Sequence, residues 1–278
     1  MTDVYANLEF KELNYQSYLK IPQLLALQQE VSDPIHHDEM FFIVIHQASE
    51  LWFKNLLHET EWLVESFEEG LVSRSLKILK RITAIMELLD HQIGLLATLT
   101  PVEFAGFRDL LRPASGFQSA QFRLMEYRFG IKEPFFLKFF EHDPAVVARL
   151  TEAQEKPSVY DSFLRSMKKA GFPIPDTILN RDVRQPYQAN PDLELIYRDI
   201  YNAPGNDYHW VLMFEGLLDF DEKLARWRQT HILMVTRTIG ALGGTGGSSG
   251  AEFLKSRAGL RCFPELWSVR NYLGGSHE

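Results

Sequence analysis

A single cysteine, Cys262, stands in 278 residues, so neither an intrachain disulfide nor a thiolate zinc site can be built. Such sparing use of thiols fits a reducing compartment. Positive charge is short as well. The 29 Lys and Arg residues against 37 Asp and Glu leave a net charge of −8, which argues against a general nucleic-acid surface, because that needs a concentrated basic face to displace counterions. No run approaches the roughly twenty apolar residues that a membrane span requires. The opening MTDVYANLEFKELNY is acidic and lacks the basic start and apolar core of a secretory signal. These absences predict a cytoplasmic protein with neither nucleic acid nor membrane as partner. Sustained period-two alternation is also missing, and with it the signature of a half-buried strand.

Helical periodicity takes its place. Between residues 38 and 67, DEMFFIVIHQASELWFKNLLHETEWLVESF puts Phe41, Ile45, Ala48, Trp52 and Leu56 on one stripe at three- and four-residue steps, with Asp38 as a natural cap and Gly70 as a stop. The next segment, from residue 73, carries Leu79, Met86 and Ile93 on one face and Ile78, Ile82, Ile85 and Leu89 on another, as in a helix sandwiched between neighbours. Thr100-Pro101-Val102-Glu103 reads as a capped helix start, and that helix runs to about Leu111. Helical spacing resumes over residues 117–129. Residues 173–204, rich in proline, predict a long ordered crossing loop with a short helix from Leu193 to Asn202. Further helices are expected over 207–239 and 251–257. The expectation is an all-α bundle of long helices with extra connecting loops, and no break in composition divides residues 1–278 into two domains.

Six of the eleven residues in GALGGTGGSSG, Gly240 to Gly250, are glycine. The tract follows a helix rather than a strand and has no lysine after its glycines, so it is neither a P-loop nor a dinucleotide fingerprint. A flexible linker, an anion-binding nest and an active-site lid carrying Thr245 stay open. His231 lies in WRQTHILMVTRTIG with Trp227 one turn before it, and His46 lies in FFIVIHQASELWF with Phe42 one turn before. Each could be an ordinary core histidine, or the two could face the opposite sides of a flat apolar cofactor such as haem. Arg108, four residues after Phe104 on one helix face, either pairs with Asp109 or Glu103 or grips a carboxylate beside an aromatic wall. PIHHDE offers ligand types for a non-haem iron centre, but adjacent residues at a helix start point in different directions.

Taken in series, LNYQSYLKIPQLL, HHDEMFFIVIHQASELWFK, LTPVEFAGFRDLLRPASGFQSAQFRLMEYRFG, WRQTHILMVTRTIG and GTGGSSG resemble the tryptophan 2,3-dioxygenase family over most of the chain. The resemblance implies a haem b enclosed between helices, ferrous for O2 activation, with His231 as axial ligand of the iron. It also implies haem contacts from Trp227, Ser115 and Gly116, and His46 on the distal side near the substrate indole N–H. Phe42 and Phe104 would line the indole pocket, Arg108 would hold the substrate carboxylate, and Thr245 would fix the polar end together with a haem propionate. Tyr15 and Tyr18 match positions that reach into a neighbouring subunit of a homotetramer, so the N-terminal segment, about residues 1–30, is expected to pack on that neighbour. The implied reaction adds both atoms of O2 across the indole C2–C3 bond of L-tryptophan to give N-formyl-L-kynurenine. One departure stands beside the axial histidine: Gln229 and Thr230 occupy places where the family commonly has an aromatic residue and an arginine. A monooxygenase of the same architecture acting on a substituted tryptophan such as 2-methyltryptophan is the nearest alternative. A non-catalytic helical haem or ligand sensor is the alternative from another class.

Overall fold

The computed structural model describes residues 13–274, and among them there are thirteen α-helices, several short 3-10 turns and no strand. Two short helices, α1 (Tyr15–Leu19) and α2 (Ile21–Leu24), lead through an irregular strap to α3 (His37–Glu68). The α3 cap differs from expectation: His36 holds the position, its Nδ1 accepting the Asp38 amide, while Asp38 and Glu39 sit in the first turn. An imidazole nitrogen does here what an Asx oxygen usually does, and the two carboxylates lie at the positive end of the helix dipole. At the other end the Leu71 amide reaches back to the Ser66 carbonyl across Gly70 and closes the helix where the sequence says it should stop.

α4 (Val72–Leu95) has the two-sided character expected of it, with Ile78, Leu79, Ile82, Met86 and Leu89 all essentially removed from solvent. It packs between α3 and the second long helix, α11 (Tyr208–Ile239). Between them in the chain come α5 (Pro101–Arg108), whose Thr100 and Glu103 form the expected capping box, and α6 (Ala120–Arg128).

Sequence periodicity assigned nothing to residues 131–172, yet α7 (Pro144–Glu155) and α8 (Val159–Lys169) lie there. Their signals were caps rather than stripes. Asp143 accepts the Ala145 and Val146 amides just before Pro144, and Ser158 and Asp161 form a capping box. The proline-rich crossing is an ordered loop as expected, with one extra turn, α9 (Asp176–Leu179). It leads into α10 (Pro191–Asn202), which Asn190 caps two residues earlier than the predicted start. After α11 come α12 (Ala251–Arg257), where predicted, and α13 (Pro264–Ser268), which was not foreseen.

The main core gathers where α3, α4, α8, α10 and α11 meet, around Leu56, Ile82, Phe163, Tyr197, Phe214 and Leu217. Leu217 is wholly buried, so cutting it to alanine is expected to cost about 2–5 kcal/mol in lost burial and residual cavity. This mass fixes the α3–α4–α11 layer as a rigid unit. Its far end, formed by the N-terminal half of α3 and the C-terminal half of α11, is left to line a cavity. Among the described residues no single helix is long and apolar enough to cross a membrane.

Candidate functional site

The cavity, about 270 Å³, opens between α3, α5, α6 and the last turns of α11, with the glycine tract and α12 on one side. Residues expected at the site converge on it from separate helices. His46 and Phe42 come from α3, Phe104 and Arg108 from α5, and Trp227 and His231 from α11. Ser115, Gly116 and Thr245 line it as well. Tyr15 and Tyr18 do not: they stand on α1, 71% and 70% exposed, and take no part in the lining. Residues 1–12 of the segment expected to pack on a neighbour lie outside the described residues. PIHHDE assembles no iron site, because His36 is used as a helix cap and His37 is exposed.

The two histidines are prepared differently. The His46 Nδ1 lies 2.7 Å from the Phe42 carbonyl oxygen, which can only accept, so Nδ1 carries the proton and donates. Burial pushes the ring below its ordinary pKa, with the Phe42 bond and Glu50 acting the other way. Its Nε2 is therefore a bare acceptor. Burial, and then the field of His46, push His231 down to about 4, so it is a neutral imidazole at pH 7. Among the described residues it makes no hydrogen bond, only a ring contact with Trp227 at 5.2 Å. A neutral, uncommitted imidazole in an apolar wall has a lone pair available to a metal.

Aromatic packing gives the cavity a slot. The rings of Phe42 and Phe104 stack at 5.6 Å, and Phe107 backs both, at 5.7 Å from Phe42 and 5.5 Å from Phe104. Arg108, one helical turn from Phe104, pairs with neither Asp109 nor Glu103. It donates from Nη2 to the Gly243 carbonyl at 2.5 Å, which leaves other donors of its planar fork without a partner among the described residues.

That bond also shows what the glycine tract is. Thr245 donates from Oγ1 to the Ala114 carbonyl at 2.5 Å, and the Gly244 amide donates to the Ser248 carbonyl at 2.9 Å, so the tract is folded back on itself and pinned to both α5 and the 113–116 turn. Close approach explains a glycine at 246, where an added Cβ would lie 2.7 Å from the Ser115 Cβ. A linker would not be held this way; the tract is a cover. The hydroxyl proton of Thr245 is committed to Ala114, which leaves its oxygen as an acceptor.

The cavity is also lined by a cluster of buried charge that periodicity does not reveal. Arg123 and Glu126 form a buried ion pair, the Arg228 Nη2 bonds to the Glu126 Oε1 at 3.0 Å, and Arg257 pairs with Glu133 while its Nη2 lies 3.7 Å from Glu126. Three guanidinium groups share two carboxylates. Burial holds the Arg123 pKa below its ordinary value, and repulsion from Arg257 adds to this against the pull of Glu126. The Nε of Arg123 and the Nη2 of Arg257 are buried donors without a hydrogen-bond partner. Buried donors of a cation are rarely left so, and both residues line the cavity. A group that is apolar over most of its surface and anionic at one edge would suit this lining. A porphyrin with propionates meets both conditions. The available signal was Arg123 and Glu126 three apart in FRLMEYRF, charges set among large apolar residues on the inward face.

Beside His231, the departures from the family pattern have plain places. Gln229 is exposed, and Thr230 donates from Oγ1 to the Asp90 Oδ1 of α4 at 2.5 Å.

The family model described as tryptophan 2,3-dioxygenase matches residues 4–148 and 195–273, leaving out the stretch that holds most of α7, all of α8 and the crossing loop. A tryptophan 2,3-dioxygenase of Bacillus thuringiensis is 44% identical over 266 residues, 95% of this chain and 95% of that protein. Those of Arthrobacter and Caulobacter vibrioides are 42% and 40% identical, over 94% and 95% of this chain and 92% and 99% of their own lengths.

Proposed function

The chain belongs to the tryptophan 2,3-dioxygenase family, an enzyme family that is haem-dependent and acts on tryptophan and O2, and from that premise we propose a role for each residue of the cavity. His231 would hold the iron of a haem b, with Trp227 beside it and Ser115 and Gly116 against the porphyrin. Arg123 and Arg257, with their free donors, take the acidic edge. When bound, ferrous haem supplies the O2-binding and activating chemistry. The single observation that carries this reading is that one cavity brings a neutral uncommitted imidazole, a second imidazole fixed as an acceptor and a guanidinium with free donors together from three helices.

The protein's own work is to place L-tryptophan. Its indole enters the slot of Phe42 and Phe104, an apolar site with few polar anchors. The Nε2 of His46 accepts the indole N–H, because the Phe42 carbonyl has fixed the proton on the other nitrogen. Arg108 grips the carboxylate with the donors that Gly243 does not use. Thr245, its own proton engaged, offers its oxygen to the ammonium, and the glycine cover keeps water out while the reacting atoms meet. Both atoms of O2 end on C2 and C3 of the indole, giving N-formyl-L-kynurenine with no external reductant consumed. Residues 1–278 serve as one catalytic domain, and Tyr15 and Tyr18 complete the pocket of a neighbouring copy in a homotetramer, a reading supported by their exposure.

Two measurements test the reading. The purified protein should show a Soret band that shifts on adding L-tryptophan, and turnover with heavy-isotope O2 should add two labelled atoms to each product molecule. A product carrying one labelled atom would replace dioxygenation by monooxygenation. Arg108→Ala should raise KM by about tenfold to a hundredfold, the worth of a charged hydrogen bond, with the haem spectrum unchanged; an unaltered KM would remove Arg108 from the site.

A further inference from the structure

The slot that receives the indole is built on α5, a helix of two turns held at the edge of the bundle, and something has to set its distance from α3. His36 is placed to do so. Its backbone amide donates to the Ser32 Oγ at 2.8 Å, and Ser32 and Val31 are in turn tied to the buried carboxylate of Glu39 by bonds of 2.5 to 3.0 Å. Its Nδ1 caps α3 through the Asp38 amide at 3.3 Å. The rest of the ring reaches across to α5. A Cβ built on Gly106 would lie 2.8 Å from both Cδ2 and Nε2 of His36, so only glycine leaves the notch that the ring fills. The same ring lies 5.2 Å from Phe107, which is wholly buried and backs both Phe42 and Phe104.

We propose that His36 is a positioning residue for the substrate slot, latching α5 to the start of α3 through the notch at Gly106. It touches neither substrate nor cofactor. One ring therefore fixes the cap of the helix that carries Phe42 and His46 and the spacing of the helix that carries Phe104 and Arg108. The proposal rests on the roles given above to Phe104 and Arg108.

Four variants test it: Gly106→Ala, His36→Ala, the double variant and His36→Asn. Each single change is expected to raise KM for L-tryptophan by about tenfold, because a small misplacement of a binding helix is costly, while the haem content and Soret position hold. The double variant should be no worse than the worse single one, since both remove the same contact. His36→Asn keeps a good cap, so it should melt with the native protein and still show the raised KM. Multiplicative KM effects in the double variant, or a native KM in His36→Asn, would overturn the latch. Hydrogen exchange of the 102–108 amides judges the latch without reference to substrate: faster exchange in His36→Asn supports it, and unchanged exchange opposes it. Arg108→Ala run alongside reports on the substrate reading alone, so failure of that reading is told apart from failure of the latch.

Discussion

α3 and α11 each run through two environments, and the halves treat buried polar groups differently. At the closed end, where the C-terminal half of α3 and the N-terminal half of α11 meet α8, α10 and α13, most such groups are tied up in networks. Lys132 is wholly buried, and its ammonium donates to the carbonyls of Gln154, Lys156 and Val183. Asp161 takes both a bidentate Arg181 and the cap of α8. Asp221 accepts the Cys262 amide and the Trp267 indole N–H through Oδ2, while its Oδ1, like the Glu59 Oε2 and the Thr83 Oγ1, has no hydrogen-bond partner. At the cavity end, Arg123 and Arg257 keep buried donors unpaired, and His231 has no hydrogen bond among the described residues. What sets the cavity end apart is that its unpartnered buried groups are cationic donors that line a cavity, whereas those of Glu59, Thr83 and Asp221 do not. The same two helices thus serve as frame at one end and as receptor at the other.

Breaking the receptor end at its strongest point should have the largest effect. His231→Ala is expected to abolish stoichiometric haem binding, seen as loss of the Soret band, with the helical circular dichroism retained; a variant that still holds haem with an unaltered spectrum would move the axial ligand elsewhere. The counterpart at the frame end is Lys132→Met. Burial pushes the Lys132 pKa down to about 8, so at pH 7 the ammonium still carries its three donors. Removing them strands three buried carbonyls, for an expected loss of about 3 kcal/mol in denaturant unfolding, with KM for tryptophan unchanged. A change in KM without a change in stability would reverse the division of labour. Arg257→Gln sharpens the same contrast. It should speed haem dissociation by about tenfold, since a charged hydrogen bond is at stake, yet destabilise the haem-free protein far less than Lys132→Met, because it also relieves an excess of buried positive charge.

The receptor end was the more legible in sequence. Phe42, His46, Phe104, Arg108, Trp227, His231 and Thr245 all fall in segments whose order is shared with a family, and the long amphipathic helices that carry most of them follow directly from spacing. The frame end hides because its helices are short and buried on several sides. α8 buries Val159, Tyr160, Phe163, Leu164 and Met167, a crowding that blurs any stripe, and only its capping box marks where it begins. Arg123 and Arg257 were illegible for a different reason. Their meaning lies in what they lack, and a missing partner is a property of three dimensions. Nor could periodicity show that Gly243 would engage Arg108, since the two residues are far apart in the chain and only the folding back of the tract brings them together.

The smallest expected effect tests whether the network around Glu265 is as fully satisfied as its geometry indicates. Glu265 is buried and accepts from the Tyr187 hydroxyl at 2.6 Å and the Asn190 amide at 2.8 Å through Oε1, and from Tyr160 at 3.0 Å through Oε2. Burial raises its pKa above the ordinary carboxylate value despite those bonds. The native state therefore holds this proton more tightly than the unfolded chain does. Its stabilising contribution is complete below the ordinary value and is lost as pH rises through the native one. Glu265→Gln keeps the Oε1 acceptor. Its new amide can donate to the Tyr160 oxygen while that hydroxyl turns to Tyr197, 2.8 Å away, so every member of the network keeps a partner. The variant should cost about 1 kcal/mol or less, and its stability should fall less steeply than the native protein's as pH rises above the ordinary carboxylate value. Parallel pH profiles for the two proteins would mean that Glu265 titrates no differently in the fold than outside it, and that the network holds a carboxylate rather than an acid.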